Sequence, residues 1–159
     1  MPPVQESLFR IYVNAPPGFV FDYLANPRNM GEWYPGTGEV ELDTIGAIGQ
    51  GTRFRFCRQV GGKTRTSSQA ILAEYERPTR LAFVIHDEYF EDITQEFSFK
   101  LLEGGTILQR HVFTSMNLAH ALLARLLIAP LVRPLYENSL GLLKQRVEAR
   151  ARPGVAGRP

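Results

Sequence analysis

The chain has little of the chemistry that disulfides and metal ions require. It contains a single cysteine, Cys57, so no disulfide can form within the chain. Its histidines, His86, His111 and His120, share none of the short spacings that are typical of zinc sites. The first residues also lack the basic and apolar segments of an export signal. We therefore expect no metal ion, no cofactor and a cytoplasmic location.

A strong charge and a long apolar run are also missing. The 18 lysines and arginines nearly balance the 16 aspartates and glutamates, and the resulting charge of +2 is too small to attract a nucleic-acid backbone. The longest apolar run, residues 121–132, is about half of the roughly 20 residues that a membrane-spanning helix needs, and Arg125 interrupts it. We expect neither a nucleic-acid partner nor a transmembrane segment.

The chain does have enough apolar sequence to build one core. Its 159 residues are 44% apolar and 21% charged, which is ordinary for a globular domain, and the length is too short for two domains of usual size. We predict a single domain over residues 1–152. Residues 153–159 are rich in Pro and Gly, and we expect them to form a disordered tail.

The order of the predicted elements indicates a meandering sheet. Apolar alternation predicts a first strand at residues 7–13, and helical spacing predicts two short helices at 17–25 and 29–33. Six further strands, separated by Gly and Pro turns, are predicted at residues 38–44, 52–58, 64–75, 80–87, 91–102 and 106–114. Turns this short leave no room for the crossovers of parallel strands, so the sheet is predicted to be antiparallel.

The last predicted element is a helix over residues 118–150 that covers the sheet. Five of its residues step by four, four, three and four positions and so share one helical face: Val132, Tyr136, Leu140, Leu143 and Val147. We expect this face to pack on the sheet. Pro130 and Pro134 each remove a backbone donor, and we expect the helix to kink or break near them.

Several short motifs match the pattern of a known superfamily. They are Ala15-Pro16-Pro17, residues 20–24 (VFDYL), Asn26-Pro27, residues 32–36 (EWYPG), residues 49–52 (GQGT) and Gly104-Gly105-Thr106. With the order of elements, they make nearly the whole chain similar to the START and birch-pollen-allergen superfamily (SRPBCC), in its bacterial polyketide cyclase/dehydrase and lipid-transport branch. The resemblance implies an α+β helix-grip fold. In this fold a curved antiparallel sheet of about seven strands and a long C-terminal helix enclose a hydrophobic cavity, and two short helices follow the first strand.

A cavity of this kind is lined by apolar and aromatic side chains with a few polar groups. Strand parity and the helical stripe identify the predicted ligand contacts, which are Phe54, Phe56, Phe83, Ile85, Gln95, Phe97, Phe99, Leu126, Tyr136, Leu140 and Leu143. Gln95 is a polar residue at an inward position, and a buried polar group needs a partner. Plain core packing is the alternative interpretation of the apolar residues.

Catalytic residues are not specified by any motif in the chain. We find no nucleophile with an adjacent base and no paired acid and base. Because neighbours on a strand alternate, either Arg110 or His111 faces the interior, and the pattern leaves the choice open. These two residues and Tyr136 are the candidates for moving a proton or polarising a carbonyl. Trp33 either closes one end of the cavity or holds the short helices to the sheet, and we favour the second role.

Three functions are compatible with these observations. We favour binding or transport of a hydrophobic small molecule, which could be a lipid, a polyketide-like compound or an aromatic compound. The second is a polyketide cyclase or dehydratase type of enzyme that uses the same cavity. The third is a membrane-surface or protein-interaction module that uses the apolar run at residues 122–135, and the same run could form a homodimer.

Overall fold

The fold combines one sheet with a long C-terminal helix. A computed structural model describes residues 4–34, 36–60, 64–86, 92–115, 119, 122, 126 and 129–152. The strands are β1 (Val4–Val13), β2 (Thr37–Leu42), β3 (Arg53–Val60), β4 (Thr64–Glu76), β5 (Arg80–His86), β6 (Asp92–Leu102) and β7 (Gly105–Ser115). The helices are α1 (Pro17–Ala25), α2 (Met30–Trp33) and α3 (Ala129–Ala151), with a 3-10 turn at Pro27–Asn29. The predicted tail, residues 153–159, lies outside the described residues.

All seven strands belong to a single antiparallel sheet. From β2 to β7 each strand pairs with the next one in the sequence, and β1 pairs with β7, so the order is β1-β7-β6-β5-β4-β3-β2. The tight turn between β6 and β7 has a left-handed backbone at Glu103 (φ 49°) and Gly104 (φ 82°), as two-residue hairpin turns require. The predicted helix-grip fold, with about seven antiparallel strands, two short helices and a long last helix, is confirmed.

Alternation along the strands separates an inner, buried face of the sheet from an outer one. Every second residue of β7 from Thr106 to Val112 is buried, and the residues between them are partly exposed. The inner face is largely aromatic, and the ring of Phe83 meets those of Phe54 and Phe97 edge to face at centroid distances of 6.0 and 6.1 Å. A sheet that is covered on one side only requires this pattern.

The helix α3 covers part of the inner face. It packs against β1 and α2, and its residues Leu140, Leu143 and Val147 are buried as the stripe predicted. Lys144 also donates a hydrogen bond to the Tyr12 carbonyl at the end of β1 (2.7 Å). The side chain of Val132, the first member of the stripe, lies outside the described residues.

The first part of the helix predicted at residues 118–150 lies mostly outside the described residues. The helix α3 is described from Ala129, and Ala119 and Leu122 before it are also helical. Pro134 does not break the helix, because α3 runs through it. The carbonyl that loses its donor there belongs to Pro130, which is exposed in the first turn, where water can replace the missing bond.

A polar cluster joins the three helices. The Tyr23 hydroxyl on α1 donates a hydrogen bond to Glu32 Oε2 on α2 (2.8 Å), and Arg150 Nη2 on α3 donates to Glu32 Oε1 (2.7 Å). The Arg150 guanidinium also lies over the Tyr23 ring, 4.9 Å from its centroid. The C-terminal end of α3 is therefore anchored to the short helices.

Two neighbouring leucines on α3 test how far the packing of the helix stabilises the fold. Leu143 is fully buried, whereas Leu142 is 38% exposed. We expect Leu143→Ala to lower the free energy of unfolding by about 2–5 kcal/mol, since it leaves a cavity, and Leu142→Ala to lower it by less than about 1 kcal/mol. Urea denaturation measures both values, and similar values would contradict the assigned face of α3.

The cluster around Glu32 predicts a pH dependence of stability. Burial acts to raise the pKa of Glu32, but hydrogen bonds from Tyr23 and Arg150 and the charges of Arg150 and Arg146 outweigh it, so the pKa lies below its ordinary value of 4.5. Such a carboxyl stabilises the fold above its unfolded-state pKa, and the effect is lost as the pH falls through the folded-state pKa.

We therefore expect Glu32→Gln to lower the free energy of unfolding at pH 7 by up to about 1 kcal/mol. The difference from the wild type should shrink as the pH falls below the ordinary pKa of a glutamate, because protonation then favours the unfolded chain. Glu39→Gln, at an exposed glutamate, is the control and should have little effect at any pH. A difference for Glu32→Gln that stays constant down to pH 3 would contradict the role of this carboxylate.

Candidate functional site

The alternation in β7 decides between the two candidate residues of the last strand. Arg110 is on the inner face and is fully buried. His111 is on the outer face, where its Nε2 lies 3.5 Å from Glu6 Oε2 and its ring contacts Phe113. His111 therefore does not face the interior, and its candidacy as an interior catalytic group was wrong.

Arg110 is held by neutral hydrogen-bond acceptors. Its Nε and Nη2 both donate to Gln95 Oε1 on β6 (3.1 and 2.5 Å), and its Nη1 donates to Ser139 Oγ on α3 (2.6 Å). These bonds use three of the five guanidinium N–H groups, and the other two have no acceptor among the described residues. Among the described residues no carboxylate forms an ion pair with Arg110.

Four aromatic rings surround the guanidinium. The Arg110 Cζ atom lies 4.6 Å from the ring centroid of Tyr136, 5.4 Å from those of Trp33 and Tyr34, and 5.5 Å from that of Phe97. Ring faces attract a cation, most strongly where water is excluded. Trp33 also packs edge to face on Phe97, so it both holds α2 to the sheet and borders the buried cation.

A hydrogen-bonded chain extends from Arg110 to two tyrosines. Because Gln95 Oε1 accepts from Arg110, the amide nitrogen of Gln95 faces the other way and donates to the Tyr34 hydroxyl at 3.5 Å. The hydroxyl of Tyr34 is also near enough to that of Tyr136 to affect its pKa. The Ser139 hydroxyl donates to the Tyr136 carbonyl (2.8 Å), so the second branch from Arg110 ends on the same residue.

Burial dominates the electrostatics of this group, which we call the Arg110 cluster: Trp33, Tyr34, Gln95, Phe97, Arg110, Tyr136 and Ser139. Burial lowers the pKa of Arg110, Tyr34 and Tyr136 oppose the shift, and the positive charge of Arg58 adds to it. Arginine remains charged in proteins even so. Burial, with the neighbouring Tyr34, raises the pKa of Tyr136 above its ordinary value although Arg110 acts against it, so this phenol is protonated at neutral pH.

Most of the residues predicted as ligand contacts do lie in the interior. Phe54, Phe56, Phe83, Ile85, Gln95, Phe97, Phe99, Leu140 and Leu143 are buried. Tyr136 is partly buried, and it meets Arg110 as described above. The placement of Leu126 inside was wrong, because this residue is 69% exposed and precedes α3. Whether any of these residues contacts a ligand stays a prediction.

Two polar members of the cluster were not predicted from the sequence. Ser139 lies three residues after Tyr136 and four before Leu143, so helical spacing alone places it on the stripe. Tyr34 follows α2 directly, in a short segment without periodicity that could indicate its direction. Arg58, which has the strand parity of Phe56, is half-buried with its guanidinium over the Tyr34 ring (4.8 Å).

Three clefts bounded by described residues have linings that do not include Arg110. One, of about 630 Å³, follows β2 and β3 and includes Thr37 and Arg58 in its lining. The second, of about 400 Å³, lies across β6, β7 and β1 on the outer face. The third, of about 360 Å³, lies between β1 and α3. Within the described residues no group of three or more His, Cys, Asp or Glu could hold a metal ion. None of the helices in that part of the chain is long and apolar enough to cross a membrane.

The acceptor role of Gln95 can be tested by its removal. We expect Gln95→Leu to lower the free energy of unfolding by about 1–3 kcal/mol, because it leaves the buried Arg110 donors unpaired. Adding Arg110→Met should recover that loss, since an apolar pair has no unpaired donors. Gln109→Leu, on the outer face of β7, is the control, and its effect should stay within about 0.5 kcal/mol. Additive losses in the double variant would contradict the pairing.

Solved structures of several proteins resemble this fold. The Zhui aromatase/cyclase from Streptomyces sp. R1128 is 18% identical, with a TM-score of 0.74 over 96% of this chain and 99% of that one. The di-domain ARO/CYC StfQ from the steffimycin biosynthetic pathway is 12% identical, with a TM-score of 0.77 over 93% of this chain and 52% of that one. Ara h 8.0201 is also 12% identical, with a TM-score of 0.69 over 92% of this chain and 99% of that one.

Sequence comparison identifies the family. No curated protein matches the chain. A sequence profile for polyketide cyclase/dehydrase and lipid transport proteins matches residues 4–148, which is most of its length. The chain therefore belongs to the polyketide cyclase/dehydrase and lipid transport family.

Proposed function

We propose that the protein binds a hydrophobic small molecule between the inner face of the sheet and α3. The observation that carries the proposal is the fully buried Arg110, which has aromatic neighbours and neutral hydrogen-bond partners, and two N–H groups without an acceptor in the part of the chain that the structure describes. Burying a cation in this way costs stability. The cost is explained if Arg110 binds an oxygen atom of a ligand.

The apolar walls would supply most of the affinity. Phe54, Phe83 and Phe97 offer contiguous aromatic surface next to the Arg110 cluster. Removing about 300 Å² of ligand surface from water at roughly 25 cal/mol per Å² gives about 7 kcal/mol before the costs of association. Such burial is not directional, so it favours a lipid, polyketide-like or aromatic ligand without choosing among them.

The polar cluster would set the orientation of the ligand. A carbonyl, hydroxyl or acid oxygen next to Arg110 would accept hydrogen bonds from the guanidinium, and the protonated Tyr136 is a further donor nearby. One fixed polar end and an apolar remainder are typical of small-molecule sites. Access would come along the first turns of α3, where residues 133–135 and 137–138 are exposed, while Leu140, Leu143 and Val147 anchor the rest of the helix.

A cyclase or dehydratase activity is the second candidate, and the pairing of Arg110 with Tyr136 favours it. A guanidinium beside a ligand carbonyl stabilises an enolate as it forms, and a protonated phenol can donate a proton to it. The raised pKa of Tyr136 suits it as a general acid and not as a general base. The family and the similar Streptomyces protein are both named for activities of this kind. Turnover of a polyketide or enone substrate distinguishes this function from plain binding.

A surface role is a third candidate because leucines before and within α3 are exposed. Leu122, Leu126 and Leu135 lie at the surface and could contact a membrane or a second copy of the chain. Flotation with liposomes and the mass of the particle in solution separate this role from the interior site.

Native mass spectrometry tests the proposed function. We expect the purified protein to carry a small molecule in its native spectrum that is absent from its denatured mass. Arg110→Gln should lower its occupancy, since it removes the charged donors, whereas Arg80→Gln, at an exposed arginine of β5, should leave it unchanged. A bare native mass, together with no binding of the neutral apolar dye N-phenyl-1-naphthylamine, would exclude the proposal.

A further inference from the structure

We infer that the ligand is an acid that binds as a carboxylate, with its charged oxygens beside Arg110. This inference rests on the proposed function, and it names the chemical class of the ligand. It follows from the balance of donors and acceptors in the Arg110 cluster, from the balance of charge around Arg110, and from a second arginine near the same tyrosines.

The Arg110 cluster has more hydrogen-bond donors than acceptors. The Gln95 oxygen already accepts two bonds from Arg110, and the Ser139 oxygen accepts the third. Two guanidinium N–H groups remain, and the indole Nε1 of the buried Trp33 has no partner in the described part of the chain. A buried donor without an acceptor costs on the order of 1–3 kcal/mol. The cluster therefore favours a ligand group that brings acceptors only.

A carboxylate is such a group. It has two oxygens with about four lone-pair sites and no donor, and its shape matches two N–H groups of one guanidinium. An alcohol brings a donor of its own, and a ketone or an ester carbonyl brings a single neutral oxygen. The spare Arg110 groups are better matched by the acid than by any of these.

The charge of Arg110 leads to the same class of ligand. Its partners Gln95, Ser139 and the four rings are all neutral, so the described surroundings do not compensate the cation. A charge pair attracts far more strongly in a water-poor interior than at a surface. An anionic ligand would remove the cost of the buried cation, and a neutral ligand would not.

Arg58 adds a second positive charge close to the cluster. Its guanidinium stacks on the ring of Tyr34, the same residue that accepts a hydrogen bond from Gln95. It is near enough to Arg110 for the positive charge of Arg58 to lower the pKa of Arg110. The charge of Arg58 therefore adds to the positive potential at Arg110, and a positive potential favours an anionic group over a neutral one.

Matched pairs of acid and alcohol test this inference. Dodecanoic acid and 1-dodecanol share one chain length, and 2-naphthoic acid and 2-naphthalenemethanol share one ring system. Trp33 is the single tryptophan of the chain and its ring lies 5.4 Å from Arg110, so its fluorescence reports on this site directly. At pH 7 we expect the acid of at least one pair to bind at least about tenfold more tightly than its alcohol, the effect of a hydrogen bond to a charged group.

Variants assign the preference to Arg110. Arg110→Gln should bring the ratio of acid to alcohol affinity close to one, and Arg110→Lys should keep part of it because the charge remains. Arg80→Gln should keep the wild-type ratio, since that arginine of β5 is exposed and pairs with Glu74. Circular dichroism checks that each variant is folded. The comparison of acid with alcohol in the wild type shows whether the site prefers a charged ligand, and it needs no variant.

The outcomes separate this inference from the proposed function. Equal binding of acid and alcohol by the wild type overturns the assignment of an acid and leaves the hydrophobic site standing. An acid preference that survives in a folded Arg110→Gln variant overturns the role of Arg110. If neither member of either pair binds and the apolar dye also fails, the proposed function fails and this inference fails with it.

Discussion

The Arg110 guanidinium connects the sheet to the last helix, and the interior is arranged around that connection. It reaches from β7 to Gln95 on β6 and to Ser139 on α3, so one side chain joins three elements across the core. Because a buried cation needs an acceptor for its donors, the amide of Gln95 and the hydroxyl of Ser139 each have their orientation fixed. The orientation of the Gln95 amide in turn directs its nitrogen to the hydroxyl of Tyr34, which lies near Tyr136.

This arrangement divides affinity from orientation. The phenylalanines of the inner face can stabilise many ligands of suitable size, because the hydrophobic effect has no direction. The Arg110 cluster is small and directional, so it selects which end of a ligand enters and in what chemical state. The same division allows a carrier and an enzyme to share one fold. A group that binds a ligand carbonyl can also polarise it, so catalysis requires no additional strand or helix.

The sequence predicted the sheet well, because strand parity needs only a local pattern. Gln95 shares its parity with Ile93 and Phe97, and all three are buried. For Arg110 the same reasoning could not decide, since its neighbours of one parity, Leu108 and Val112, are as apolar as Ile107 and Phe113 of the other. Only the pairing of β7 with β1 and β6 resolves the two faces.

The helical residues illustrate a different limit. Ser139 could have been placed from its spacing to Tyr136 and Leu143, because both distances are close to one helical turn. Leu126 was wrongly placed inside because it does not share the helical face of the stripe. Ten residues separate it from Tyr136, and at 3.6 residues per turn this displaces it by about 80° around the axis even in an unbroken helix. The partners of Arg110 depend on contacts across three elements, which no local pattern contains.

The position of β1 at the edge of the sheet has a consequence for how the molecule is made. The strand pairs only with β7, and the register joins Val4 to Ser115 and Val13 to Thr106. On the ribosome β1 has no partner until almost the whole sheet has been synthesised, whereas β2 to β7 can add to one another in order. Contacts between residues so distant in sequence close large loops and slow the folding of a domain. During synthesis β1 therefore cannot pair before β7 has been made, and until the two strands pair, the β7 edge is open to pairing with other chains.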